Sequence, residues 1–310
     1  MESDIVSTEI RYLAIVGLGL IGSSIARAVA EALPEVMVTG FDADDGVRAR
    51  AAGLGLADVK ESAAAAVAGA ELVILCVPVG AMAAAAGSIA GALAPGAIVS
   101  DVGSAKAAVS AALRGALPGA RIVPAHPVAG TEKSGPEAGL AALFRGRWCI
   151  LTPDDDAAAE DVARLAAFWT ALGAKVEIMD AAHHDLVLAV TSHLPHLIAY
   201  TIVGTASDLE KVTESEVIKY SAGGFRDFTR IAASNPTMWR DIFLANRGAV
   251  LDMLQRFSED LTLLQRAIRS GDGDTLFDLF TRTRAIRREI VDQGQDVAAP
   301  DFGRQAEMQS

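Results

Sequence analysis

The sequence predicts an α/β chain: a doubly wound, mostly parallel sheet in the N-terminal part and an all-helical C-terminal part. Three observations carry this expectation. Apolar strand-like segments alternate with Ala-rich helical ones as far as Met179. A glycine-rich turn joins the first strand to the first helix. From about Asp180 to Ile290 strand signals cease and helical spacing takes over, as in Met238 to Ser270 with Ile242, Phe243, Leu254, Phe257 and Leu261 on recurring faces. We therefore read one domain over 1–180, a second over 181–297 and a frayed tail over 298–310.

The first strand begins at Leu13 and runs into Gly17-Leu-Gly19-Leu20-Ile21-Gly22, after which a small-residue helix spans Ser23 to Ala32. This is the pattern of a Rossmann-like dinucleotide-binding turn. Gly17 permits a tight turn, Gly19 lets backbone N–H groups approach a pyrophosphate, and Gly22 lets the helix pack close to the strand, its N-terminus aimed at the anion. A second strand, Val36 to Phe41, ends at Asp42, 20 residues beyond Gly22. A carboxylate there bonds both ribose hydroxyls and repels a 2′-phosphate, which favours NAD over NADP. Arg48 nearby keeps NADP as the lesser alternative. Glycine patterns of this kind also serve flavins, S-adenosylmethionine or a purely structural turn.

Further strand candidates follow at Leu72 to Val77, Ala97 to Asp101, Arg121 to Ala125, Trp148 to Leu151 and Lys175 to Met179. Val77-Pro78, Asp101-Val102-Gly103-Ser104 and His126-Pro127 fall just past strand ends, on the edge where such sheets bind ligands.

Composition narrows the class. The chain has 310 residues, enough for two domains, and 51% hydrophobic residues with positive mean hydropathy supply a large core. Its apolar stretches are interrupted before about 20 residues, which argues against membrane spans. Met1 to Glu9 is polar and acidic, unlike a signal peptide, and a cytoplasmic location is expected. Cys76 and Cys149 lie in apolar strand-like segments and suit reduced buried thiols. A net charge of −12 argues against nucleic acid or anionic membranes as partners. The one basic cluster, Arg282 to Arg288, is followed by Glu289 and Asp292 and reads as a solvated helix face.

The polar motifs remain. His126-Pro-Val-Ala-Gly-Thr131-Glu132-Lys-Ser-Gly135 follows a sheet strand and reads as an active-site loop. Upstream, Ser104 is placed to hydrogen-bond an imidazole or a substrate hydroxyl, or simply to cap a helix. Thr191-Ser-His193-Leu-Pro195-His196 puts a kinking proline and two histidines three apart into an apolar helical run; a metal pair is conceivable, but no third ligand stands out. Gly223-Gly-Phe-Arg226-Asp227-Phe-Thr-Arg230 is followed by Met238-Trp239-Arg240-Asp241. Arginine is the natural fork for a substrate carboxylate. The alternative is an Arg226/Asp227 surface pair with Trp239 in a helix–helix core.

Taken together and in order, the glycine turn, the His126 to Gly135 loop, Ser192-His-Leu-Pro-His196 and the Gly223 to Arg230 segment with Met238 to Asp241 resemble the prephenate/arogenate (cyclohexadienyl) dehydrogenase family of tyrosine biosynthesis. The resemblance covers nearly the whole chain. It implies an NAD-dependent oxidative decarboxylation of prephenate to 4-hydroxyphenylpyruvate, or of arogenate to tyrosine. It further implies that His126 is the catalytic histidine acting on the ring hydroxyl, which suits an imidazole whose free pKa lies near working pH. By the same resemblance Ser104 orients His126, Arg230 binds a substrate carboxylate, and His196 helps to hold the substrate. Thr131 and Glu132 shape the pocket, and Asp227 keeps an arginine in place. Trp239 reaches into the neighbouring subunit's site, which implies a homodimer built through the helical domain.

This chain has Arg226 where the family often has Lys, so no role is carried to that position. No fused mutase or regulatory domain is expected, and tyrosine inhibition, if present, should compete at the active site. Two alternatives were weighed. A β-hydroxyacid-type NAD(P) dehydrogenase would rest on a lysine in its helical domain, and a non-catalytic NAD-binding sensor would bind without turnover.

Overall fold

The computed structural model describes residues 10–131, 133–213 and 223–292. The acidic N-terminus, Glu132 and the tail lie outside the described residues. The chain divides into two compact units, Met1–Leu251 and Asp252–Ser310. The first thus runs past the position near Asp180 where the sequence pattern changes.

Six parallel strands form the main sheet: β1 (Tyr12–Val16), β2 (Met37–Phe41), β3 (Asp58–Val59), β4 (Leu72–Leu75), β5 (Ile98–Asp101) and β6 (Arg121–Ile122), in the order β3-β2-β1-β4-β5-β6. Helices α1 (Leu20–Ala32), α2 (Asp45–Gly53), α3 (Ala63–Val67), α4 (Met82–Ile89) and α5 (Lys106–Ala116) connect them. Side chains alternate across a strand, so a sheet buried on both faces needs apolar residues at every position. The central strands meet this. Leu13, Ile15, Leu72 and Ile74 enter one apolar cluster with Ile25, Val29, Phe144, Phe168 and Trp169. Ala14, Val16, Val73 and Leu75 enter the other, with Met82, Ile89, Val109 and Leu113. Strand order reverses between β1 and β4, and the crevice at their carboxyl ends is where such sheets take ligands.

Sequence reading extended one sheet through all the strand candidates; the structure makes two. The segment read as a single strand, Arg121 to Ala125, is β6 followed by β7 (Ala125–Pro127), and β7 pairs antiparallel with β8 (Trp148–Leu151), which pairs parallel with β9 (Lys175–Ile178). Pro124 stands between β6 and β7 and has no N–H to give a ladder, so the pairing changes partners there. The two-residue strand β3 was not foreseen, because its length carries no alternation. Both cysteines are free thiols, Cys149 buried and Cys76 half-buried, and burial pushes both well up.

Beyond β9 (preceded by helix α6, Ala159–Ala171) the described residues are helical. Helix α7 (Ala181–Leu188) passes through a π turn, Ala189–His193, into α8 (Leu194–Thr213). Ala181–Asp208 is a 28-residue helical run with an 18-residue stretch of mean hydropathy 1.6, long and apolar enough to cross a membrane by length and composition although Pro195 interrupts its apolar sequence. Pro195 does not break it: the wider π turn just before relieves the clash of the ring with the preceding carbonyls. The same run carries buried His184, Asp185 and His193. Shorter helices follow at Gly223–Thr229 and Pro236–Ala245, with a 3₁₀ turn at Arg230–Ala233, then Arg247–Ser270 and Gly273–Asp292. The stretch read as one helical pattern from Met238 is thus broken at Asn246.

Candidate active site

Two groups of residues meet the ligand edge of the main sheet. The first is the glycine turn between β1 and α1. Gly17 has φ +102°, and a Cβ there would lie 2.4 Å from the Cys76 carbonyl oxygen. A Cβ on Gly22 would lie 1.9 Å from the Gly17 carbonyl oxygen, so both positions exclude any side chain. Gly19 differs: nothing stands within 4 Å of its Cβ position. It is the N-cap of α1, no side chain caps that end, and the first turn holds no acidic residue, so Leu20, Ile21 and Gly22 present an open, partially positive helix N-terminus. Val77 and Pro78 follow β4 beside this turn, Val77 Cγ1 standing 3.3 Å from the Gly17 Cβ position.

Asp42, at the end of β2, serves the turn as well as facing the crevice edge. Its Oδ2 accepts the Leu18 N–H at 2.8 Å and its Oδ1 the Asp44 N–H at 3.0 Å. Arg48 folds back onto it, donating to the Asp42 carbonyl at 2.7 Å and to Asp45, with its guanidinium 5.3 Å from the Phe41 ring centre. An anionic dinucleotide fits this arrangement: N–H groups without a cap, a glycine where a Cβ would fill the approach, and a carboxylate at the end of the next strand.

The second group centres on β7. His126 is buried at 8% exposure, and its Nδ1 lies 2.8 Å from Nε2 of the fully buried His184 in α7. His184 Nδ1 in turn lies 2.9 Å from Asp185 Oδ1. Burial, reinforced by the charges of His184, Lys106 and His193, holds His126 well below the ordinary histidine pKa. Beneath it, Lys106 is wholly buried and donates to Asp101 Oδ2 at 2.5 Å and to the Ala125 carbonyl at 2.6 Å, while Asp101 accepts from Gly103 N at 2.7 Å and Ala125 N at 3.3 Å. A charge pair so enclosed is stable only because each partner has further hydrogen bonds. It clamps the end of β5 to β7 directly under His126. Burial pulls the Lys106 pKa down, and Asp101 opposes that pull.

The helical side adds His193, His196 and Trp239. His193 is buried against Asn246, whose Nδ2 donates to His193 Nδ1 at 3.1 Å and to the Asp185 carbonyl at 2.7 Å. Burial pushes His193 down to about 4. His196 donates from Nδ1 to the Ser192 carbonyl at 2.8 Å and stacks on Trp239 with ring centres 3.7 Å apart. Burial lowers the His196 pKa, and the charge of Arg230 adds to that. Tyr200 Oη donates to the Ser234 carbonyl at 2.7 Å, tying α8 to the turn that carries Arg230.

The sequence-predicted residues therefore fall out unevenly. His196 and Trp239 stack on each other and Arg230 lies in the turn that packs on α8, while His126 is delivered separately by β7. Thr131 is exposed on the loop after β7, Asp227 is half-buried, and Glu132 lies outside the described residues. Among the described residues the hydrogen-bond partner of His126 Nδ1 is His184 Nε2. Trp239 is 6% exposed, stacked on His196 of its own chain and in contact with His193 and Phe243, in a helix capped by Asn235. Sequence reading missed His184, Asp185, Lys106, Asp101 and Asn246 as parts of the site. The available signal was charge in apolar surroundings, His184-Asp185 early in an apolar helix and Asp101 closing a buried strand.

Comparison with known proteins agrees with this architecture. Residues 25–178 match the family model described as prephenate dehydrogenase, nucleotide-binding domain, and residues 180–282 that described as prephenate dehydrogenase, dimerization domain. The cyclohexadienyl dehydrogenase of Zymomonas mobilis is 47% identical over 281 residues, covering 90% of this chain and 96% of its own length. The prephenate dehydrogenase of Bacillus subtilis is 33% identical, with 92% and 77% covered. Among solved structures, the prephenate dehydrogenase of Aquifex aeolicus in complex with hydroxyphenyl propionate and NAD+ superposes with a TM-score of 0.85 at 34% identity, covering 91% of this chain and 99% of that one. This chain belongs to the prephenate dehydrogenase family.

Proposed function

We propose that the protein is an NAD-dependent oxidoreductase of tyrosine biosynthesis that oxidatively decarboxylates prephenate, arogenate or both. The observation that carries this reading is the buried His126, delivered by β7 beside the carboxyl end of β5 in a chain whose β1–α1 turn leaves an open helix N-terminus. NAD, when bound, supplies the hydride acceptor; Gly17, Gly19, Leu20, Ile21, Gly22, Val77 and Pro78 would hold it, with Asp42 on the ribose.

The remaining work belongs to side chains of this chain. His126, kept neutral by burial, takes the proton of the ring hydroxyl as the carbon bearing it is oxidised, and loss of the ring carboxylate as CO2 completes aromatisation. Arg230 binds a substrate carboxylate as a two-pronged donor, and Asp227 holds that segment in place. His196, fixed flat against Trp239, positions the substrate from the helical side; Trp239 thus acts through His196. Ser104, Thr131 and Glu132 complete the pocket.

The division near Asp180 marks the change from nucleotide-binding to substrate-binding residues. The helical part mediates a homodimer, supported by the dimerization-domain match and by exposed Leu186, Val190, Ile202 and Val203 on the helix that carries the histidines. We place the enzyme in the cytoplasm, and tyrosine, which shares the product's ring, competes for the substrate site. The test is formation of reduced nicotinamide with NAD or NADP and, separately, prephenate and arogenate. Turnover with either substrate supports the reading and assigns the preference, while NAD binding without turnover of either overturns it.

A further inference from the structure

The contacts behind His126 settle where its protons sit. Helix α5 leaves its first N–H groups without a cap of its own, since Ala105 provides no side-chain acceptor. Asp185, distant in sequence, fills that place: Oδ1 accepts from Lys106 N at 2.7 Å and Oδ2 from Ala107 N at 3.0 Å. The positive end of the helix and these bonds keep Asp185 an ionised carboxylate, which only accepts. His184 Nδ1, 2.9 Å from Asp185 Oδ1, must therefore carry a proton. A neutral His184 then offers Nε2 as an acceptor, and His126 Nδ1, 2.8 Å away, must be its donor. The reverse order would either point a lone pair of His184 at the carboxylate or put a second proton, and with it a charge, on a ring that has no access to water.

We infer that His184 and Asp185 are positioning residues that fix His126 in its Nδ1–H tautomer, leaving Nε2 as the proton acceptor, with helix α5 as the anchor of the chain. This deepens the function proposed above and rests on His126 being the base. The arrangement spans three elements, β7, α7 and the start of α5, and is closed to water: His184 is 0% and Asp185 5% exposed. The other charged or titratable groups facing it are Lys106, Asp101 and His193, and Asn246 pins the Asp185 backbone. A carboxylate behind a catalytic imidazole selects its tautomer and steadies the imidazolium that forms.

The experiment is ring-nitrogen NMR of isotope-labelled histidine in the substrate-free protein, joined to steady-state kinetics. His126 should show a protonated Nδ1 and an unprotonated Nε2. His184→Gln, whose amide oxygen still accepts at the same place, should keep that tautomer and most of kcat. His184→Leu should give mixed tautomers and lower kcat by roughly a hundredfold or more, while the KM for prephenate and the Kd for NAD stay within about twofold. An unprotonated Nδ1 in the wild-type spectrum, or a His184→Leu variant with wild-type kcat, would overturn the inference. If His184→Leu does not fold, the wild-type spectrum still decides. The spectrum needs no turnover, so inactivity toward prephenate and arogenate would overturn the proposed function separately.

Discussion

The glycine turn and the histidine cluster face the same sheet edge but are built on opposite principles. In the turn, backbone does the binding and side chains are excluded: Gly17 and Gly22 have no room for a Cβ, and Gly19 has room but must leave it empty. In the cluster, side chains do the work and the backbone only delivers them, from β7, α5, α7, α8 and the helix Pro236–Ala245. A site made of backbone is written in neighbouring residues. A site made of side chains is written wherever the fold brings strands and helices together, and it needs buried charge to stay ordered.

The sharpest break in that comparison should come from His126→Asn. Loss of the proton acceptor should lower kcat by about 10²–10⁴-fold, with NAD affinity from fluorescence titration unchanged. A parallel loss of NAD binding would mean that the two sites are not separable. Arg230→Ala comes next and should raise the KM for prephenate by an amount worth about 2 kcal/mol or more, with little effect on NAD; an unchanged KM removes Arg230 from substrate binding.

The cluster should also cost stability in acid, which the turn does not. His193 and His126 are held neutral in the fold, with folded pKa values below those of the unfolded chain. Between about pH 6.5 and about pH 4 the unfolded chain therefore binds protons that the folded state refuses, and stability falls as pH falls. His193 alone, held down at about 4, accounts for up to about 3 kcal/mol of that loss. Urea midpoints measured across this range should show it, and His193→Gln should flatten the curve; a flat wild-type curve would contradict the burial argument. The smallest effects separate the glycines. Gly22→Ala should destabilise by about 1–3 kcal/mol through overpacking. Gly19→Ala should leave the melting temperature alone and weaken NAD only, and a stability loss equal to that of Gly22→Ala would show that the open space at Gly19 serves folding.

This contrast explains what was legible in the sequence. The turn, Asp42 and the alternation of sheet and helix could be read because local spacing specifies them. The second sheet could not be, since β7, β8 and β9 have the same apolar composition as the main strands and only pairing distinguishes them. His126 was found through a contiguous motif. Lys106, Asp101 and Asp185 were passed over because a lone charge in sequence says nothing of its partner, and these partners lie up to 79 residues apart.

The π turn at Ala189–His193 sets a phase as well as a shape. It houses one residue more than an α-helical turn, and each residue rotates a helix by about 100°. Removing a single residue there would let the turn tighten to an ordinary α-helical one and keep His196 near its present phase, whereas removing a second would swing His196 and everything after it about a quarter-turn away from Trp239. The turn thus holds one residue in reserve: a one-residue deletion within it should be tolerated better than a two-residue deletion, which should disconnect the helical half of the pocket from His126.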